Sequence, residues 1–593
     1  MKKLLLISTL VTLLAASFML PVQFGGAGAA SAASQAAPVY CNRVFLPSVL
    51  GGGAGASAAV AAPAAQVSND LCDGFPDFNG DGYADLAIGV PQKEVSNGIT
   101  NQVDVGIVHV IYGSNHGLDA GAGQLGPDDQ IWHRQVGGVA ANPDDRYGAA
   151  LGMGDFDNDG YDDLAIGIPG ANINAQDNAG AVAVIYGSAA GLDLFSIEEW
   201  SRFGDGLTGT AGAGDEFGAS LTTGDFDGDG YADLAIGAPY DEVGGDAEAG
   251  SVQILYGRST GLSGLGDELL TQDVAGFPAT PAEPFDHFGL ALAAGDFNGD
   301  GVDDLAVGTP GENNGDDYVD AGAVQIFMGD PGVTAFNSGL ISNGTVNTPQ
   351  HWTADSPDVE GAMEAEDGFG FSLAAANFNG DAYDDLAVGI PFEIHGSGGG
   401  ALTFGGAINV FNGGPGGLTA TPAWPARIWH QDVSGMADET EQAEFFGYAL
   451  AAADFDNDGY ADLAIGVPGD RTLGVDIGAV HLMFGTSIGL TAANDELLYD
   501  PDNPEADDSF GWTLSAGDYD GNGLVDLAVG AYRDDPVGVA ASNPGSVFVF
   551  YSDADGLQIT LNQNWWAGHF GLKGSTANND YFGNALPGSP EKP

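Results

Sequence analysis

From about residue 71 onward, short apolar runs and polar turns follow one another in a fixed order, repeated every 64 to 81 residues. A unit opens on an aromatic-glycine pair: Tyr147-Gly148, Phe217-Gly218, Phe288-Gly289, Phe369-Gly370, Phe446-Gly447 or Phe510-Gly511. Seven residues after each of these glycines an acidic turn begins. A solid apolar run follows, such as DLAIGVP (85–91) or DLAIGAP (233–239). Next comes an alternating stretch such as GIVHVIYG (106–113) or GAVAVIYG (180–187), whose period of two is that of a strand. A turn of the form YGSxxGL and a variable stretch, often containing Trp, complete the unit.

Each unit therefore supplies about four strands, too few to bury both faces of its own sheet. Sheets stacked around an axis bury one another, provided the ring closes. The first acidic turn (77–85) has no aromatic-glycine pair ahead of it, whereas NDYFGNAL (579–586) has the pair and no turn behind it. The two halves match if the C-terminal strand completes the sheet begun by the N-terminal hairpin. The pattern predicts an all-β fold: a seven-bladed β-propeller of four-stranded blades, closed by pairing of N- and C-terminal strands.

The predicted boundaries are a signal peptide over 1–32, an Ala/Gly/Ser-rich linker over 33–70, the propeller over 71–586 and a tail over 587–593. Lys2 and Lys3 precede an apolar stretch from Leu4 to Leu20, and Ala30-Ser31-Ala32 offers a cleavage site. An uncleaved anchor is the alternative reading of that segment. No later stretch is long and apolar enough to span a bilayer as a helix, and LPGSPEKP at the C-terminus carries no hydrophobic sorting tail. The two cysteines, Cys41 and Cys72, are expected to pair in an exported chain, which would contribute ~3–4 kcal/mol by loop closure; two free thiols are the alternative.

The acidic turn carries the chemistry. Its seven copies read DFNGDGYAD (77–85), DFDNDGYDD (155–163), DFDGDGYAD (225–233), DFNGDGVDD (296–304), NFNGDAYDD (377–385), DFDNDGYAD (454–462) and DYDGNGLVD (518–526). Oxygen-bearing side chains recur at positions 1, 3, 5 and 9, with Gly usually at 6. Calcium takes six to eight oxygens around a tight turn, and this spacing supplies them.

This combination resembles the FG-GAP repeats that form the β-propeller of integrin alpha subunits and of many bacterial surface proteins. The FG element is seen at Phe217-Gly218 and the GAP element at Gly237-Ala238-Pro239, with variants Gly89-Val90-Pro91, Gly308-Thr309-Pro310 and Gly530-Ala531-Tyr532. The resemblance implies calcium held between two strands of a blade, on the face opposite the usual ligand-binding loops. In the first loop the implied ligands are Asp77, Asn79, Asp81 and Asp85, with the backbone carbonyl of Tyr83. The second and third loops give Asp155, Asp157, Asp159, Tyr161 and Asp163, then Asp225, Asp227, Asp229, Tyr231 and Asp233. The fourth and fifth give Asp296, Asn298, Asp300, Val302 and Asp304, then Asn377, Asn379, Asp381, Tyr383 and Asp385. The sixth and seventh give Asp454, Asp456, Asp458, Tyr460 and Asp462, then Asp518, Asp520, Asn522, Leu524 and Asp526. Up to seven ions are expected. The site at 377–385 is expected to be weakest, because it loses carboxylates to Asn377 and Asn379 and has Ala382 where positive φ favours Gly, at a cost of about 1 kcal/mol.

Charge narrows the partners. Against 83 acidic residues stand 13 basic ones, a net charge of −70, which repels nucleic acid and anionic membranes. With 44% hydrophobic and 10% aromatic residues the chain is not a disordered acidic tract.

Two stretches match a G-x-S-x-G nucleophile pattern, around Ser259 and Ser487, but both fall in the YGSxxGL turn and lack a strand-to-helix elbow. The nine histidines show no zinc spacing. Trp132-His133, His351-Trp352, Trp429-His430 and Trp565-Trp566 recur in the variable strand and read as packing positions, with sugar stacking as the alternative. No enzyme activity is therefore expected. The expected function is an exported, calcium-binding module, secreted or at the cell surface, that binds a protein or glycan ligand through blade-connecting loops. Candidate stretches are 263–286, 331–366 and 392–406, where the repeat lengthens or drifts. A propeller-based hydrolase and a purely structural envelope or matrix protein are the alternatives.

Overall fold

A computed structural model describes residues 75–587, apart from 97–100, 121–127, 275–280, 314–318, 331–338, 343–344, 347–348, 395–403, 472–473 and 555. The segments expected to be a signal peptide and a linker lie outside the described residues, as do both cysteines and the tail beyond 587. Among the described residues no helix is long and apolar enough to cross a membrane.

Six sheets of four antiparallel strands follow one another along the chain, each in simple sequence order. The second blade serves as the pattern: Leu151–Gly154, Asp163–Ile168, Ala181–Ile185 and Ile197–Trp200. Its first strand contacts the first strand of the next blade, Ser220–Gly224, and so on around the ring, so these strands are innermost.

The first sheet has only three strands of its own, Leu86–Val90, Ile107–Ile111 and Gln130–Trp132. Its innermost place is taken by the C-terminal segment, where the Gly89 N–H donates to the carbonyl of Ala585 at 2.9 Å. The same bond joins Gly167 N–H to the Ala150 carbonyl inside the second blade. Phe582 stands between the seventh and first blades, its N–H donating to Pro544. Seven blades thus close through the predicted exchange of termini.

Second strands are buried along their whole length, as at Asp233–Ala238, and third strands almost so, as at Ser251–Tyr256. The period-two pattern of the third strand therefore does not separate a core face from a solvent face. Both faces pack against neighbouring blades, and the polar positions His109, Gln253, Gln325, Asn409 and His481 are fully buried. His481 answers this with Asp495, Nδ1 to Oδ2 at 2.8 Å.

Blades are also stapled by the tyrosine that ends the third strand. The Tyr112, Tyr186 and Tyr551 hydroxyls accept the N–H of Leu192, Leu262 and Leu118 in the adjoining blade, at 2.9 to 3.1 Å. Trp132, Trp429 and Trp565 in the outer strands are buried, so this recurring position is packing.

Candidate metal centres and the opposite face

From the second blade on, each acidic loop joins the first strand of a blade to its second, and the first loop (77–85) leads directly into the second strand of the first blade. The side chain at position 1 organises the turn. Asp155 Oδ1 accepts the N–H of Asp159 (3.0 Å) and its Oδ2 that of Gly160 (2.9 Å). Asp77, Asp225, Asp296, Asp454 and Asp518 repeat both bonds. The glycine at position 6 makes this possible: Gly82, Gly160, Gly230, Gly301, Gly459 and Gly523 all take φ between 82° and 94°.

Loop five differs. Ala382 does not adopt positive φ, so the strain expected of it is not there. Asn377 has one carbonyl oxygen where the others have two carboxylate oxygens. It accepts from the Asp381 N–H (3.2 Å), and its amide turns to donate to the Asp381 carbonyl (2.8 Å). The loop gives up the position-6 hydrogen bond instead of forcing Ala into a left-handed conformation.

Position 9 has a fixed structural duty in every loop. Asp163 Oδ2 accepts the Phe156 N–H (2.9 Å) and Oδ1 the Gly187 N–H (2.8 Å), tying the turn to the end of the third strand. Asp85, Asp233, Asp304, Asp385, Asp462 and Asp526 do the same. Burial pushes the carboxyls of Asp163, Asp304, Asp385, Asp462 and Asp526 up to about 8, against the pull of those amides, and raises Asp85 and Asp233 strongly as well. A buried carboxylate set held beside like charges is one that a cation stabilises.

The donor atoms converge best where positions 1 and 3 are both Asp. One oxygen each from Asp155, Asp157 and Asp163 lie within 4.8 Å of one another, as do those of Asp225, Asp227 and Asp229, and of Asp454, Asp456 and Asp462. These loops fit a hard, oxygen-seeking cation. In loops four and five the position-3 residue is Asn, and its amide donates to the position-9 carboxylate: Asn298 to Asp304 (3.3 Å) and Asn379 to Asp385 (3.1 Å). At position 5, Asn522 of loop seven turns its amide away to the Ser552 carbonyl (2.9 Å). The carbonyl-bearing position-7 residues, Tyr83 through Leu524, donate their N–H to position 5, as Tyr161 does to Asp159 (3.1 Å).

A feature not read from the sequence sits in loop three. The Arg258 guanidinium reaches Asp229 at 2.9 Å and Asp227 at 3.5 Å, so this loop already holds a positive charge. Its signal was one basic residue in the GRSTG turn, where other blades carry Ser114 or Ser188. Ser259 and Ser487 lie exposed in these turns between antiparallel strands, away from any elbow of the nucleophile type.

The loops also hold one another. At six junctions among the described residues, the position-8 N–H of one loop donates to the position-1 carbonyl of the preceding blade's loop. The series runs from Asp162 on Asp77 (3.2 Å) to Ala84 on Asp518 (2.9 Å), the bond that closes the ring. The position-7 aromatic covers the next contact: a Cβ on Gly80 would lie 2.7 Å from the Tyr161 ring. Among the described residues these bonds link all seven acidic loops in one continuous series, from loop seven through loop one to loop six.

The opposite end of the blades is built differently. The residue after each FG pair turns inward, and Phe371, Tyr448 and Trp512 form an aromatic arc continued by Tyr532 and Tyr581. Between the fourth and fifth blades lies a cavity of about 340 Å³, lined by Phe285, His287, Leu290, Pro310, Gly311, Phe371, Phe392 and Phe404 with Asp320, Glu366 and Gly368. The three stretches singled out for ligand contact meet here through Phe285, Glu366, Phe392 and Phe404. Part of the first is not a loop, since Ser263–Leu270 is the outer strand of the third blade. Within the second, Ile341–Ser342 pairs with Thr345–Val346 and Gln350–Trp352 is the outer strand of the fourth blade.

Comparison with known proteins agrees with this architecture. The FG-GAP repeat family model matches seven times, at residues 74–111, 147–185, 217–255, 288–327, 369–404, 446–483 and 510–550. Among curated proteins, integrin alpha-PS2 of Drosophila melanogaster is 34% identical over 264 residues, 44% of this chain and 16% of that one. Integrin alpha-5 of Xenopus laevis is 30% identical over 43% of this chain and 20% of its own length. Phosphatidylinositol-glycan-specific phospholipase D of Homo sapiens is 30% identical over 243 residues, 40% of this chain and 25% of the enzyme. The chain thus matches a quarter or less of the length of these relatives. Among solved structures, AofleA from Arthrobotrys oligospora aligns over 77% of this chain and 94% of its own at 11% identity. Its TM-score of 0.33 is too low to carry an argument.

Proposed function

Because this chain is an FG-GAP repeat protein with a propeller of the integrin alpha-subunit type, we propose that it is an exported, calcium-stabilised binding module for an extracellular protein or glycan. The observation that carries this reading is the division of labour between the two ends of the blades. One end holds the ring of acidic loops, and the other holds an aromatic-walled cavity with Asp320 and Glu366 beside it. The innermost strand of the fourth blade, Ala291–Gly295, runs from the cavity side at Leu290 to the loop at Asp296, so a strand's length separates the two.

Calcium, when bound, would supply positive charge to carboxylates that otherwise repel one another in each turn. Asp155, Asp157, Asp159 and Asp163, with their counterparts in the other loops, would hold it. The chain's own part is to fix those oxygens through the backbone bonds at positions 1 and 9. Because the loops are bonded to one another at six junctions, stiffening them stiffens the frame that presents the opposite face. Extracellular modules bind calcium at about 10⁻⁴–10⁻³ M, which suits an exported protein.

The test is an array of glycans and matrix proteins probed in calcium and in chelator, with wild type and Phe392→Ala. A ligand retained in calcium and weakened at least tenfold by Phe392→Ala, without a change in fold, supports the reading. Ligands bound equally by both proteins would sink it.

A hydrolase reading draws on the phospholipase D relatives. It would need a catalytic group in the cavity, where His287 lies 3.5 Å from Glu248. Release of a glycan-anchored substrate by the purified chain, abolished by His287→Ala, would favour it over binding alone. We expect no such release.

A further inference from the structure

The repeat places an acidic residue two positions before every FG aromatic, from Asp145 in the second blade to Asp580 at the closure. At three blade junctions the acidic groups at this level are met by a cation from the chain. Lys93 pairs with Asp580 (2.5 Å), Arg134 with Asp145 (3.1 Å) and Arg202 with Asp241 (2.6 Å). At two others an amide stands in: Gln272 donates to Glu312, and Gln431 to Asp470 at 3.1 Å. The donor in four of these five cases sits two residues past the buried end of the preceding outer strand. At the junction into the fifth blade that position is Ala354.

Asp367 and Glu393 face Glu364 there, and no cation or side-chain amide from that position meets either of them. One oxygen each from Glu364, Asp367 and Glu393 lie within 4.8 Å of one another. Asp367 is 2% exposed; its Oδ2 accepts the Glu364 N–H at 2.6 Å, while its Oδ1 is buried without a partner. Glu393 is 7% exposed, and among the described residues its carboxylate accepts no hydrogen bond and faces Asp367 and Glu364. The junction into the seventh blade also gathers three aspartates, but each has a donor: the Asp502 N–H for Asp500, the Glu505 N–H for Asp508 and the Ser546 hydroxyl for Asp534. At the fifth-blade junction the buried Asp367 Oδ1 stays unmatched beside Glu393; at the fourth, where Asp286 Oδ1 is likewise unmatched, Gln272 meets the neighbouring Glu312.

From this geometry we propose that Glu364, Asp367 and Glu393 form a divalent-cation site, separate from the acidic loops and at the opposite end of the blade. An oxygen-only set without His or Cys selects the calcium and magnesium class over zinc. Burying the Asp367 and Glu393 carboxylates side by side is costly, and a cation in the place that Lys93, Arg134 and Arg202 fill elsewhere relieves it. The ion would join the connection entering the fifth blade to the turn after its second strand, Asp385–Ile390. Gly368 and Phe392, next in sequence to Asp367 and Glu393, line the cavity. The site would therefore fix the cavity wall, and it does not depend on the acidic loops holding calcium.

The test counts ions on the whole exported chain. Wild type and Glu393→Gln are dialysed against buffered calcium and their calcium content is measured per chain, alongside melting temperatures in calcium and in chelator. Glu393→Gln is expected to hold one ion fewer than wild type, whatever the total, and to melt lower in calcium but higher in chelator. Glu393→Lys is expected to lose the same ion while melting nearly alike in both conditions, since its ammonium takes the ion's place. Equal ion counts in wild type and Glu393→Gln, or a melting difference that calcium does not change, would overturn the proposal. If Glu393→Gln fails to fold, Asp367→Asn gives the same count. Loops that bind nothing would lower every total and leave the difference of one intact.

Discussion

The backbone N–H of Gly89 donates to the carbonyl of Ala585 at 2.9 Å, and this bond turns an open row of sheets into a ring. Around it Phe582 is 1% exposed between the first and last blades, and Lys93 reaches Asp580. Closure therefore rests on a short segment that forms no extended strand of its own.

Phe582→Ala should consequently destabilise the whole propeller by about 3–5 kcal/mol, the usual cost of emptying a buried aromatic site. Phe570→Ala, twelve residues earlier and 58% exposed, should change stability by less than about 0.5 kcal/mol. Denaturant unfolding of the two variants decides it. Equal effects would mean that the C-terminal segment is an appendage and does not close the ring.

Arg258 competes with any cation in the third loop, since it already contacts Asp227 and Asp229. Its side chain is 32% exposed, so the pair is partly screened and worth at most ~1 kcal/mol. Arg258→Ala should tighten calcium binding at that loop about fivefold, with no change in the number of ions bound. Titration calorimetry of the two proteins checks this. Weaker binding in the variant would mean that Arg258 shapes the loop for the ion and does not compete with it.

The ring was legible in the sequence because its parts repeat at fixed offsets. The seven-position step from Gly218 to Asp225 recurs at five other places, and the unpaired FG at Phe582 announced the closure. What escaped were relationships between blades, which no local pattern encodes. The alternation in GIVHVIYG marks a strand, yet it does not reveal that His109 faces another blade instead of water. Ala382 was expected to be strained, and the loop moved around it because Asn377 could turn its amide. Arg258 looked like one more turn residue until the fold brought it over the preceding acidic loop. The carboxylates of Asp367 and Glu393 are 26 positions apart in a chain full of acids, and only packing makes them neighbours.

Loops two, three and six bring three carboxylates together, whereas Asn379 in loop five turns its amide toward Asp385. Calcium should bind most strongly at loops two and six, less strongly at loop three where Arg258 competes, and most weakly at loop five. Asp456→Ala should remove one ion per chain and, at about 100-fold excess over Kd, roughly 2.7 kcal/mol of calcium-linked stability. Asn379→Ala should remove neither. Ion counting with unfolding in calcium measures both effects, and a loss on Asn379→Ala equal to that on Asp456→Ala would contradict the ranking.

Acidity should act in opposite senses with and without the ion. In the ion-free fold, burial raises the carboxyls of Asp163, Asp304, Asp462 and Asp526 to about 8, whereas in the unfolded chain they titrate near 3.8. Between those values the folded state holds protons that the unfolded state has lost, so stability falls as pH rises from about 4 to 8 and levels off above. Calcium binds the deprotonated groups, so its contribution grows over the same interval. Melting temperatures in chelator should drop from pH 5 to pH 8. In calcium they should drop less or rise, with the two curves closest at pH 5 and furthest apart at pH 8. A chelated protein that melts higher at pH 8 than at pH 5 would mean that the position-9 carboxylates are stabilised by their backbone amides alone and need no ion.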